Sequence, residues 1–315
     1  MSTEANIARL RGIENRSESW IADEVFPFRS RFIEVDSARL HYIDEGSGPT
    51  LLFLHGSPMW SFMFRHMIEA LRSRYRCVAL DMPGLGLSMA PLVRGHAFER
   101  VAHYYEEFVR KLDLQDFVAI AHATAGPPAL RMAIDERQRI AGLVITNSFA
   151  WSMEEFPTMW RFVRVVGSPP FKFTAIYLNL LPRLTTRIAR HRGKFSEAER
   201  KAILGPYQRR DARRHLANML YGLRAEVPFF QKVERELPAL SDVSTLFLYG
   251  AHDHGYLAGF VPRWQRLLPR NRLVTLENSA HFPQEDEPEA YTRALGEWLD
   301  ERFAPRRIAA VADRR

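Results

Sequence analysis

Residues 50–58 read TLLFLHGSP, an uninterrupted apolar run of strand length that stops at a His-Gly-Ser-Pro turn. A strand with one wet face alternates apolar and polar side chains. A run without alternation is buried on both faces, as in a parallel sheet covered by helices. Upstream, RFIEV (31–35) and ARLHYID (38–44) read as two short antiparallel strands, followed by the turn Gly46-Ser47-Gly48-Pro49. Downstream come a helical stretch over Trp60–Arg72, a strand at Arg76–Leu80, a Gly/Pro loop DMPGLGLS (81–88) and a helix near Phe98–Leu112. Phe117–Ala121 is a further buried strand, with a helix after Gly126 and a strand at Gly142–Thr146. This alternation predicts an α/β fold, a mostly parallel sheet flanked by helices.

The alternation stops near Ala150 and resumes at Thr245 (TLFLYG). A helix over about 258–268, a strand at Arg272–Leu276 and a last helix from about Glu287 to Arg302 complete the pattern. Between them lie Arg-rich helical stretches and several prolines, with no clear strand. The expected organisation is an N-terminal extension (1–30), a core built from 31–149 and 231–303, an inserted helical cap (150–230) and a loosely held tail (304–315).

The formal charge of +7 is unevenly placed. Residues 150–225 hold 12 Arg and three Lys against five acidic residues, a net of +10, which leaves −3 for the rest of the chain. An apolar content of 46% with 12% aromatics excludes disorder as the main state. The single cysteine, Cys77, excludes a disulfide framework and a Cys-rich zinc site; lying in a predicted buried strand, it reads as a core residue. No apolar run nears the ~18 residues of a membrane span, and no signal-peptide core opens the chain, so a cytoplasmic protein is expected.

In an open parallel sheet, ligands sit beyond the carboxyl ends of the strands. Those ends here are His55-Gly56-Ser57-Pro58, the 81–88 loop, His122-Ala123-Thr124-Ala125-Gly126, Asn147-Ser148, Gly250-Ala251-His252-Asp253 and Ser279-Ala280-His281-Phe282. Taken together, HGSPMWSFMFR (55–65), the D-x-P-G-x-G-x-S loop and AHFPQEDEPE (280–289) make the chain resemble an α/β-hydrolase from about Phe32 to Leu299. Within that superfamily it resembles haloalkane dehalogenases, their β-lactone-decarboxylating relatives and epoxide hydrolases. The resemblance implies a nucleophile, an acid and a histidine in that chain order. It places the general base at His281 and the orienting acid at Asp253, because Asn147-Ser148 offers no carboxylate. The carboxylate would fix the imidazole tautomer and stabilise the imidazolium. On their own, His281 could cap the last helix and Asp253 could be an ordinary turn residue.

The nucleophile is missing. Where the family carries His-Asp-Trp-Gly, this chain has His122-Ala123-Thr124, and the methyl of Ala123 cannot attack carbon. Thr124 as a nucleophile one residue out of register would put His122 where a small residue is needed. The family's halide clamp, an Asn after His-Gly and the elbow Trp, is replaced by Ser57 and Thr124. Their backbone N–H groups would still form an oxyanion hole, which suits an ester, lactone or other carbonyl substrate better than a haloalkane. His55, His122 and Asn147 are expected near the pocket, with no cofactor and no metal.

The expected function is a hydrolase acting on a hydrophobic small-molecule or acyl-chain substrate. Either His281 works as general base without a covalent step, or the chain is an Asp-to-Ala inactivated form. The alternative is a non-catalytic small-molecule-binding protein on the same scaffold.

His252 and His254 suggest a metal site, but no third ligand has suitable spacing, so turn residues are the better reading. Tyr177, Tyr207 and Tyr221 lie in the cap, where epoxide hydrolases carry ring-protonating tyrosines. Phe171–Leu184 (FKFTAIYLNLLPRL) reads as an amphipathic helix packed on the core. A sharper reading makes it a greasy entrance for a long-chain substrate, or part of a basic surface for an anionic membrane or acidic partner. Nucleic acid is not an expected partner, since no reading helix or aromatic platform accompanies the charge.

Overall fold

The computed structural model describes residues 20–303, apart from 189 and 192. Strands β1 (Arg31–Val35), β2 (Ala38–Glu45), β3 (Thr50–Leu54), β4 (Arg76–Leu80), β5 (Phe117–His122), β6 (Ile140–Thr146), β7 (Thr245–Gly250) and β8 (Asn271–Leu276) form one sheet in the order 1-2-4-3-5-6-7-8. Only β2 runs against its neighbours; every pairing from β4 to β8 is parallel. The chain steps outward from β3 to β4 and then returns to the other side of β3 with β5. Leu54 is in register with Ala121, so the turns at His55 and His122 open side by side at this switch point, where α/β sheets place their ligands.

Successive residues of a strand point to opposite faces, and both faces are covered. Leu52 and Leu54 join the core under α2 (Ala97–Lys111) and α3 (Gly126–Asp135). Leu51 and Phe53 join the opposite core under α1 (Arg65–Leu71) and the C-terminal helix (Pro288–Phe303). Cys77 is buried in that second cluster. The expected helix over Trp60–Arg72 is shorter than predicted: a tight 3₁₀ turn, Ser61–Phe64, precedes α1.

Between β6 and β7 lie α4 (Pro157–Val166), α5 (Pro169–Tyr177), α6 (Leu180–Ile188), α7 (Glu197–Leu204), α8 (Arg210–Ala225) and α9 (Val227–Glu236). The boundary expected at 230 falls inside α9, which packs on α3 through an ion pair between Arg131 and Glu236. The Phe171–Leu184 stretch is not one helix. It breaks between α5 and α6, where Asn179 takes φ +53, a left-handed conformation that Asn tolerates better than most residues. Nor is its apolar face fully packed: Phe173, Tyr177 and Leu178 are 54–57% exposed.

After β7 come α10 (His254–Leu257) and α11 (Phe260–Leu267), and after β8 come α12 (Pro283–Asp286) and α13 (Pro288–Phe303). At the N-terminal side Trp20 packs on Trp60 and lies so close to Gly205 that a Cβ there would sit 1.9 Å from its ring. The rest of the expected N-terminal extension, 1–19, and the tail, 304–315, lie outside the described residues. No described helix is long and apolar enough to cross a membrane.

Candidate active site

At the end of β5 the chain bends through Ala123, at φ +48, into a 3₁₀ turn and then α3. A left-handed alanine costs roughly 1–2 kcal/mol, so the surroundings must hold it there. They do so by close approach. A Cβ on Gly56 would lie 2.7 Å from the Ala123 Cβ, and one on Gly126 would lie 1.8 Å from the Ser148 Oγ. The Ser148 hydroxyl also donates to the Ala123 carbonyl at 2.6 Å. A sharp strand-to-helix elbow is therefore present, with only a methyl at its apex.

Opposite the elbow, Asp253 follows β7 and caps α10. Its Oδ1 accepts the N–H groups of Gly255 and Tyr256 at 2.8 and 3.2 Å, and its Oδ2 accepts from His281 Nδ1 at 2.7 Å. Burial pushes the Asp253 carboxyl up, but the His281 bond and the two N–H groups outweigh it and hold the group below the usual carboxylate range. An ionised carboxylate only accepts, so His281 carries a proton on Nδ1, and the neutral form of its ring has its lone pair on Nε2. The His281 side chain is 41% exposed, whereas Asp253 is 3% exposed.

Three neighbours fix this pair. Asn147, at φ +43 just after β6, donates from Nδ2 to the carbonyls of Ala280 and His281 at 2.8 and 3.0 Å. Its Oδ1 accepts the Gly250 N–H at 3.0 Å, so one side chain ties the two loops that carry Asp253 and His281. His122 donates from Nε2 to the His281 carbonyl at 2.7 Å; its Nδ1 is buried and unpartnered. Burial, then the nearby His281, push the His122 imidazole down to about 3, so it is neutral. His55 accepts the Met82 N–H on Nε2 at 2.7 Å, and burial lowers its pKa. Its role is to brace the 81–88 loop.

Sequence reasoning missed Asp81, the first residue of that loop. Fully buried, its carboxylate accepts from Ser61 N–H, Leu87 N–H and His41 Nδ1 at 2.7–2.8 Å. Gly86 is obligatory beside it: a Cβ there would lie 2.2 Å from the Asp81 carboxylate. The lone acid ahead of a Gly-rich loop was the available signal.

The expected oxyanion pair differs in one respect. The Ser57 N–H is not open, because it donates to Thr124 Oγ1 at 2.8 Å, and that hydroxyl turns on to Ser57 Oγ at 3.2 Å. The structure thus gathers Ser57, His55, His122, Ala123, Thr124, Asn147, Asp253 and His281 at one end of the sheet. The cap tyrosines are not among them. Tyr177 and Tyr221 are exposed, and the Tyr207 hydroxyl is buried without a partner. His252 stacks on His191 with centroids 4.3 Å apart, and His254 opens α10. Among the described residues a cation-sized cluster occurs at His66, Glu199 and Glu285, but the Arg65 guanidinium already bonds both carboxylates.

The alpha/beta hydrolase fold family matches residues 49–288. The chain belongs to that family. This α/β-hydrolase is 34% identical over 275 residues to haloalkane dehalogenase 2 of Mycobacterium tuberculosis (strain ATCC 25618 / H37Rv), spanning 86% of this chain and 95% of the relative. It is therefore haloalkane dehalogenase-like. It is also 24% identical over 289 residues to a cis-3-alkyl-4-alkyloxetan-2-one decarboxylase of Shewanella oneidensis, spanning 84% of this chain and 86% of that one. Among solved structures, an ancestral haloalkane dehalogenase superposes with a TM-score of 0.77 at 23% identity, over 87% of this chain and 100% of that chain. The dehalogenase DatA of Agrobacterium tumefaciens C58 gives 0.75 at 20% identity, over 87% and 97%. These two likenesses concern the fold.

Proposed function

We propose that this haloalkane dehalogenase-like α/β-hydrolase hydrolyses a hydrophobic ester or lactone, of small-molecule or acyl-chain type, by general-base catalysis without a covalent intermediate. The observation that carries this reading is the 2.7 Å bond from His281 Nδ1 to Asp253, which leaves the Nε2 lone pair for proton transfer. His281 Nε2 takes a proton from water, the water oxygen bonds to the carbonyl carbon, and the carbonyl π-electrons move to oxygen. The oxyanion then re-forms the carbonyl as the acyl C–O bond breaks, and the imidazolium, balanced by Asp253, gives its proton to the departing alkoxide. The Thr124 N–H, joined by Ser57 once the Thr124 hydroxyl swings aside, receives the oxyanion. Ala123 holds the position from which a relative's nucleophile would attack. The oxetan-2-one in the name of the Shewanella relative is itself a four-membered lactone, which supports the carbonyl class.

The test pairs two variants. His281→Ala should lower turnover on a matched ester or lactone series by about 10²–10⁴-fold while ligand binding persists. Ala123→Asp should create or raise turnover on haloalkanes or esters, because the elbow that would aim the carboxylate is already formed. Turnover appearing on a haloalkane would identify the chain as an inactivated form of an ordinary member. No turnover in either protein, with saturable binding that survives His281→Ala, would leave a non-catalytic binding protein. One observation favours that second reading: the Ser57 N–H is already engaged.

A further inference from the structure

The outer face of the cap is chemically unlike the rest of the surface. From Phe156 to Ser196 the sequence holds eight Lys and Arg residues and no Asp or Glu. The same stretch leaves Phe162, Val165, Phe173, Tyr177 and Leu178 54–60% exposed, although side chains of this kind normally pack inward. Two of them, on α5, meet each other and nearby cations. Phe173 stacks on Tyr177 with centroids 4.7 Å apart, and the Arg210 guanidinium lies 4.6 Å from the Tyr177 ring. Lys172 reaches over the exposed Tyr221 on α8, 6.0 Å from the ring centroid. A groove of about 470 Å³ runs beside these residues, from α5 to Leu92 and Arg94. Among the described residues, neither Arg94 nor Lys172 has a carboxylate partner.

We propose that this face docks on an anionic membrane surface. Aromatic and aliphatic side chains would enter the boundary between headgroups and acyl chains. The cations, on long flexible stems, would stay level with the lipid phosphates. Charge selects this occupant. A second copy would bring the same basic segment, +10 over residues 150–225, against itself, and an uncharged apolar partner would leave the cations unsatisfied. The docking does not depend on the reaction at His281.

The experiment is co-sedimentation of the full-length protein with vesicles of phosphatidylcholine, with and without about 30 mol % phosphatidylglycerol. Binding is expected to the anionic vesicles only, falling more than tenfold between about 0.05 and about 0.5 M NaCl. The double variant Phe173→Glu/Tyr177→Glu should lose at least about tenfold in affinity, and Lys172→Gln about fivefold. Arg293→Gln, an equal charge change at an exposed site on α13, should leave binding unchanged. Because Phe173, Tyr177 and Arg293 are exposed and Lys172 is only half-buried, the thermal midpoints should match the parent's. Three results would each overturn the proposal: equal or no sedimentation with both lipids, a double variant that binds like its parent, or tighter retention on duplex DNA than on vesicles at the same salt.

Discussion

The sheet and the cap treat apolar side chains in opposite ways. Every residue of β3 and β5 is buried, and the elbow between them is held so closely that neither Gly56 nor Gly126 has room for a methyl. The cap, whose residues 150–225 carry a net +10 against −3 elsewhere, leaves five large apolar side chains of one stretch more than half exposed. Chemistry needs fixed atoms, and hydrogen bonds converging on a buried turn supply them. A surface that meets something outside needs only composition and exposure.

The two regions are joined by charge at a buried point around Arg65, which gives the largest expected effect on stability. Arg65 bonds both oxygens of buried Glu285 at 2.5 and 2.9 Å and reaches Glu199 of the cap at 2.7 Å. Burial pushes the Glu285 carboxyl up, and the guanidinium opposes it. Arg65→Met should cost about 3–5 kcal/mol in urea unfolding, because it strands a buried carboxylate. A loss below about 1 kcal/mol would mean that apolar packing, and not this ion pair, holds cap to core.

Acid gives the next effect. Burial pushes His122 in the core down to about 3 and His215 in the cap to about 4, against an ordinary value of 6.5. The unfolded chain binds these protons first, so their neutral burial is fully compatible with folding above about pH 6.5 and becomes a penalty as pH falls towards about 4. At about pH 5 each should have cost roughly 2 kcal/mol relative to neutral pH. Unfolding of His215→Gln across that range should show a shallower slope, and an unchanged slope would remove the buried cap histidine from the account.

The smallest effects contrast a strained turn in the core with an open surface on the cap. Ala123→Gly relieves a left-handed alanine and should stabilise by about 0.5–1 kcal/mol once the added freedom of the unfolded chain is subtracted. Phe162→Ser on the cap should stay within about 0.5 kcal/mol. A large loss at Phe162 would mean that its exposed face is packed in solution.

What could be read in the sequence follows the same division. TLLFLH and the other central strands were legible because burial on both faces leaves an unbroken apolar pattern. The turns after them were legible because Gly, Pro and His stand at fixed local offsets. The break at Asn179 was not, since an apolar stretch reads the same whether helical throughout or bent once. The bond from Ser57 N–H to Thr124 Oγ1 was equally hidden. It depends on the approach of two turns 67 residues apart, which no local pattern encodes. Asn147 looked like a mere bystander near the pocket; its clamp on two loops exists only once β6 lies between β5 and β7.

If the Ser57 amide is the oxyanion donor we propose, that threonine hydroxyl has a consequence for which molecules the site can hold. Any incoming oxygen must displace an acceptor already seated on the Ser57 amide, so a neutral carbonyl gains little by the exchange. An oxygen bearing developing negative charge gains more, since charge-assisted hydrogen bonds are about twice as strong as neutral ones. On the proposed reading, the resident hydroxyl would set a threshold, turning a simple binding donor into one that rewards only the stronger base.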